Sequence, residues 1–226
     1  DLTISLTHTG KYFVSILTEQ GYEPIEKTNK AVGIDLGLRS FVITSEGIRY
    51  PSQRLLKKYH NKLATAQKHL SRKKKGSNNF EKQKVKVAKL YEKVSNIRTD
   101  YLHKVSLDLL RKYDIIFCED LNIKGMMKNH RLARNIGDAA WGEFVRMLEY
   151  KAEMNDKHIG KIDRYCPSSK TCHTCGYVNR GLGYEEEWVC PECGSVVDRD
   201  WNAALNILSA GLAEYTCGLS ENPVWI

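Results

Sequence analysis

Two C-x-x-C pairs, Cys172-His173-Thr174-Cys175 and Cys190-Pro191-Glu192-Cys193, stand 14 residues apart in this 226-residue chain. Each pair lets two thiolates reach one ion from a tight turn. Gly176 and Gly194, one after each second cysteine, supply the positive φ that such turns need. Four thiolates make a closed tetrahedral site, which is structural rather than catalytic. A stretch of about 30 residues is too short for a core of its own, so metal binding must supply its folding energy. The competing reading, a redox pair, would show one such motif beside a βαβ pattern and not two matched ones. Cys172, Cys175, Cys190 and Cys193 are therefore read as zinc ligands within an inserted ribbon at 166–195. His173 lies between two of them but is not needed to complete the ion's shell.

The other three cysteines, Cys118, Cys166 and Cys217, lack metal spacing, and an odd total of seven argues against a secreted disulfide framework. They are expected to be small buried hydrophobes. No run approaches 18 apolar residues, and the N-terminus lacks the basic-then-apolar order of a signal peptide. The expectation is an intracellular protein with no membrane segment. Because the chain opens at Asp1 on strand-like sequence, it also reads as a piece of a longer polypeptide.

Charge is polarised along the chain. From Arg54 to Lys112 there are 18 Lys and Arg against four acids, a net of +14, whereas the whole chain carries +8, so the remainder carries −6. A basic polyanion-binding face beside an acidic metal site would give this pattern; a solvated helix surface is the plainer alternative. In that segment the apolar period is helical, with Tyr59, Leu63, Ala66 and Leu70 on one stripe and Leu90, Val94, Ile97 and Tyr101 on another. Arg72-Lys73-Lys74-Lys75 and the following Gly76 break the pattern, predicting a long basic helical hairpin over 51–112.

The acids are placed more tellingly. Asp35 interrupts the apolar run Ala31 to Leu36, which leads into two further strands, Phe41 to Thr44 and Ile48 to Tyr50. Glu119 and Asp120 end the apolar run from Ile115, and Asp198 and Asp200 precede an apolar helix. A strand bearing an acid and leading into a meander predicts an α/β fold, a ribonuclease H-like mixed sheet with flanking helices. There the first and fourth strands lie side by side, so Asp35 and Glu119 would converge and the last helix would bring the third acid, Asp200. Clustered carboxylates persist only with a cation, and hard oxygen ligands suit Mg²⁺ or Mn²⁺. Taken singly, each acid could be a turn residue, a strand-end surface acid or a helix cap. Asp120 and Asp198 remain rivals of Glu119 and Asp200 at this level. A loop is expected over 122–135, a helix from about Asp138 and a short strand over 161–165; the last helix is expected to give way at Gly211 to an irregular stretch, with the tail at 213–226.

Five ordered segments carry a family resemblance. They are Gly33 to Gly37, Glu119 to Met126, Leu132 through Trp141 to Ala152, Pro167 to Cys172, and Asp198 to Ala204. Together they resemble the TnpB family of transposon-associated, RNA-guided DNA endonucleases, which are related to the type V CRISPR effectors. The resemblance covers roughly residues 28–210. It implies a RuvC nuclease domain in pieces at 29–165 and 196–212, with the ribbon between them and catalytic acids at Asp35, Glu119 and Asp200. It further implies that guide RNA pairing reads the DNA target, and that Arg72, Lys73, Lys74 and Lys75 line a nucleic-acid channel. Residues 1–28 look like the last strands of the family's wedge-like β domain. Tyr59, Tyr91 and Tyr101 are expected in the core rather than as base-stacking platforms. Two other functions compete with hydrolysis: a regulator that binds without cutting, and strand transfer by a transposase.

Overall fold

The computed structural model describes residues 2–19, 21–183 and 185–221. It divides into two compact units: residues 1–23 with 54–102, and residues 24–53 with 103–226.

In the first unit, β1 (Leu2–Leu6) and β2 (Tyr12–Ile16) form an antiparallel hairpin in the register Leu2↔Ile16 to Leu6↔Tyr12. The basic segment forms α1 (Leu55–Lys58), α2 (His60–Ser71) and α3 (Asn78–Lys112), the last of which continues into the second unit. Leu63, Ala66 and Val94 are buried, as their stripes predict, and Gln83 donates from Nε2 to the Ala66 carbonyl at 3.0 Å. Tyr91 differs from expectation: it is 45% exposed, because it stands one position off the Leu90–Val94 stripe, and its hydroxyl accepts from Gln67. Tyr59 and Tyr101 are half-buried.

The second unit is built on β3 (Ala31–Asp35), β4 (Ser40–Thr44), β5 (Arg49–Pro51), β6 (Ile115–Glu119) and β7 (His158–Ile162), in the order β5-β4-β3-β6-β7. The first three form an antiparallel meander, while β6 and β7 add parallel strands beside β3, so the sheet is mixed. β3 and β6 are buried along their middles, the mark of strands covered on both faces. β7 starts three residues before its expected position.

Two short helices, α4 (Ile123–Met126) and α5 (His130–Ala139), occupy most of the expected loop. Their starts are capped by the Asn122 and Asn129 side chains, which accept from the N–H groups of Gly125 and Arg131. Ala140, at φ 54°, separates α5 from α6 (Trp141–Met154), so the helix expected from about Asp138 starts at Trp141. Phe144 of α6 meets Phe41 of β4 edge-on at 4.9 Å.

α7 (Arg199–Glu221) lies against β3 and β6. The tail expected to be irregular is thus helical through 221; residues 222–226 lie outside the described residues. Gly211 is a point of close approach and not a helix stop: a Cβ there would meet the Phe117 ring at 2.2 Å, and Tyr215 continues the helix onto Phe117 and His158. Among the described residues no helix is long and apolar enough to cross a membrane.

A buried ion pair ties this unit together at the N-terminal end of its parallel strands. Lys157 Nζ, with no side-chain exposure, lies 2.8 Å from Asp114 Oδ1 and donates to the Leu110 carbonyl at 2.6 Å. Asp114 Oδ2 accepts from the N–H groups of Thr28 and Asn29. Burial pushes the Asp114 carboxyl up, but Lys157 and these two N–H groups outweigh it and hold it below its ordinary 3.8. A depressed carboxylate contributes stability that is present above its unfolded pKa and is lost as the pH falls through the folded one. Asp114→Asn should therefore cost about 3 kcal/mol at pH 7. That deficit against the parent chain should shrink as the pH drops below about 4, as read by urea unfolding at each pH.

Candidate functional site

The β-strand period of two places the first two acids. Gly33 and Phe117 are paired across β3 and β6, and both face α7, because a Cβ on Gly33 would sit 2.2 Å from the Ala204 carbonyl oxygen. Asp35 and Glu119 lie two residues further along each strand and so share that face. α7 begins beside them and carries Asp200 in its first turn. The Asp35 carboxyl is pushed up to about 8, first by burial and then by the negative charges of Glu119 and Asp200; Arg199 and the Leu36 N–H pull the other way. The three carboxylates thus share one field.

Their rivals are engaged elsewhere. Asp120, the residue that follows β6 and so points away from Glu119, pairs with Arg164. Asp198 caps α7, its Oδ1 accepting from the Trp201 N–H at 2.8 Å, while its Oδ2 pairs with Arg49 at 2.7 Å. Period and cap together separate Glu119 from Asp120 and Asp200 from Asp198.

The site has supports that the sequence reading did not single out. Ser168, 3% exposed, donates its hydroxyl to Glu119 Oε1. Its carbonyl and that of Thr171 accept from Asn206 Nδ2, both at 2.7 Å, and Asn202 Nδ2 donates to the Thr171 carbonyl at 2.6 Å. Asn202 Oδ1 accepts the His173 N–H at 2.8 Å. Trp201 Nε1 donates to the Ser45 carbonyl at 2.9 Å, tying the start of α7 to the end of β4. The signal was present: two asparagines four apart on an otherwise apolar helix share one face.

Cys172, Cys175, Cys190 and Cys193 converge in the ribbon, with all four Sγ atoms within 4.8 Å of one another. Among the described residues they are the one group of three or more His, Cys, Asp or Glu so tightly set, and the three carboxylates stand further apart. Cys172 Sγ to Cys193 Sγ is 3.8 Å and Cys175 Sγ to Cys190 Sγ is 3.6 Å. A tetrahedron with 2.3 Å zinc–sulfur bonds has an edge of about 3.8 Å, so the thiols are spaced for one zinc ion. Gly176 at φ 78° and Gly194 at φ 72° donate to the carbonyls of Cys172 and Cys190, closing the two turns. β8 (Glu187–Val189) and β9 (Val196–Asp198) pair behind the second. The ribbon's apolar contents are Leu182, Trp188 and Val197 packed on Cys172 and Cys190, too few to fold without metal.

In the first unit, Arg72, Lys73, Lys74 and Lys75 are exposed on the turn between α2 and α3. A groove of about 780 Å³ along the same two helices is lined by Lys62, Lys86, Lys89, Lys93 and His69. Lysines 62 and 93 place their Nζ atoms 5.9 and 5.8 Å from the Tyr59 ring centre.

Comparison with known proteins now adds the family. The model described as "Probable transposase" (OrfB_IS605) matches residues 13–130, and that of the "Cas12f1-like, TNB domain" matches residues 141–207. A solved Cas12f1–sgRNA–target DNA complex has a chain similar to this one at TM-score 0.58 and 20% identity, over 87% of this chain and 52% of that one. The architecture is therefore Cas12f-like. The chain belongs to the TnpB family. A "Putative RNA-guided DNA endonuclease" of Streptomyces pristinaespiralis is 44% identical over 98% of this chain and 55% of its own length. InsQ of Escherichia coli, named in the same way, is 33% identical over 92% of this chain and 56% of its own. The chain spans about half the length of these relatives.

The ribbon predicts one zinc per chain by elemental analysis. Removing it with a strong chelator should expose Trp188 and shift its fluorescence to the red, a change absent in Trp188→Phe. Four freely reactive thiols in a folded, metal-free ribbon would contradict this.

Proposed function

We propose that this chain is the nuclease part of an RNA-guided DNA endonuclease, its sheet being of the ribonuclease H-like RuvC type. The observation that carries the reading is the shared field of Asp35, Glu119 and Asp200 at the meeting of β3, β6 and α7. The donor set fits a hard divalent cation: three carboxylates from three separate elements, one of them driven towards its protonated form by burial and by the charges of the other two. Asp35, Glu119 and Asp200 would hold Mg²⁺ or Mn²⁺, which when bound activates water and stabilises the leaving oxygen of a phosphodiester.

The chain's own groups orient that site. Ser168 fixes one oxygen of Glu119, and the start of α7, held by the Asp198 cap and the Trp201 bond to Ser45, fixes Asp200. Zinc in the four-cysteine cluster is structural and acts at a distance: it holds the first knuckle, whose His173 N–H and Thr171 carbonyl are bonded to Asn202. The exposed Arg72–Lys75 turn and the lysines of the α2–α3 groove are suited to a nucleic-acid backbone, with Tyr59 held among them. Guide RNA and DNA target are partners of the full-length protein in this reading, supported by the names of the relatives. Residues 1–28 would close the preceding wedge-like β domain.

Labelled single-stranded DNA incubated with the chain and Mn²⁺ tests the assignment. Asp35→Asn, Glu119→Gln and Asp200→Asn should each lower the cleavage rate by about a thousandfold or more. Asp120→Asn should stay near the parent rate, and Asp198→Asn should lose thermal stability before activity. Equal loss in Asp120→Asn, or no loss in Asp35→Asn, would refute the assignment. Joined rather than cut strands would favour strand transfer.

A further inference from the structure

One cation already stands inside the acidic site. The Arg199 guanidinium donates from Nε at 3.1 Å and from Nη2 at 3.0 Å to the same oxygen, Oδ1, of Asp200. Its positive charge also reaches Asp35. Two donors converging on one carboxylate oxygen occupy the lone pairs that a hard cation would use. The residue is anchored through its backbone and not its side chain: the Arg199 N–H donates to the Glu186 carbonyl at 2.8 Å, and the Glu186 carboxylate pairs with Arg39. The side chain is 27% exposed, so it can leave Asp200 without opening the core.

We propose that Arg199 is a built-in counter-ion that competes with the divalent cation for Asp200, holding the acids together in the metal-free chain and yielding Oδ1 when the metal enters. Without it, three carboxylates in one field have no opposing charge among them, and the site would either spread or take up protons. With it, the apo fold is stabilised at the expense of metal affinity. The guanidinium keeps its charge at every accessible pH, so only displacement can free the oxygen. This rests on the reading of Asp35, Glu119 and Asp200 as metal ligands.

The test is Mn²⁺ binding to the zinc-loaded chain without nucleic acid, followed by loss of the free-ion paramagnetic resonance signal, in the parent and in Asp35→Asn, Arg199→Gln and Arg199→Lys. Arg199→Gln should bind Mn²⁺ about tenfold more tightly than the parent, the scale of one charge-assisted hydrogen bond. Arg199→Lys, with the charge but not the two-pronged contact, should fall between. In the parent chain, the Arg199 Nε–H resonance should be protected from exchange and should shift and lose that protection on saturation with Mg²⁺. Unchanged or weaker Mn²⁺ affinity in both Arg199 variants, or an Nε–H resonance indifferent to Mg²⁺, overturns the proposal. A parent chain that binds no more Mn²⁺ than Asp35→Asn overturns the metal-site reading itself, and this inference with it. Zinc content and circular dichroism of each variant establish that it is folded, and the resonance experiment needs no variant.

Discussion

The backbone of α7 rests directly on β3 because Gly33 has no side chain. A single methyl there would overlap the Ala204 carbonyl oxygen at 2.2 Å and the Leu208 nitrogen at 2.5 Å. The same helix meets Phe117 of β6 at Gly211. Two points of close approach, about one to two turns apart along one helix, set its height above the sheet. That height decides whether the carboxylate in its first turn shares a field with those ending the two strands. The ribbon depends on this contact in turn, since Asn202 and Asn206 hold its first knuckle and the Ser168 loop from the same helix.

Electrostatics opposes what packing imposes. Burial first, and then the charges of Glu119 and Asp200, raise the Asp35 carboxyl to about 8, so the arrangement is held against desolvation and repulsion by the surrounding fold. The neighbours limit that cost by being turned away: Asp120 points away from Glu119 and pairs with Arg164, and Asp198 is occupied by the helix cap and Arg49. Five acids lie within three short motifs, and three of them share one field. The basic charge, by contrast, is concentrated between residues 54 and 112, where lysines at 86, 89 and 93 repeat on one face of α3.

What could be read from the residues follows the strength of their periodicities. The acid-bearing strand β3, its parallel neighbour β6 and the four-cysteine cluster were legible, because a buried apolar run and a matched pair of C-x-x-C turns each have few other structural solutions. The break at Ala140 was not, since an alanine in the left-handed region carries no local signal. Gly211 misled for a related reason: a glycine after an apolar stretch marks a helix end unless another side chain needs its space, and Phe117 is 94 residues away in sequence. Polar residues were seen as ligands or as surface. Their positioning work, in Ser168, Asn202 and Asn206, depends on contacts between elements that only the fold defines.

The most direct test of the account is anomalous diffraction from crystals of the zinc-loaded chain soaked in Mn²⁺. The account predicts manganese density bounded by the carboxylates of Asp35, Glu119 and Asp200, separate from a zinc peak among the four cysteines. Manganese at Asp120 or Asp198, or an acidic site that stays empty at saturating Mn²⁺ while the zinc site is filled, would contradict it.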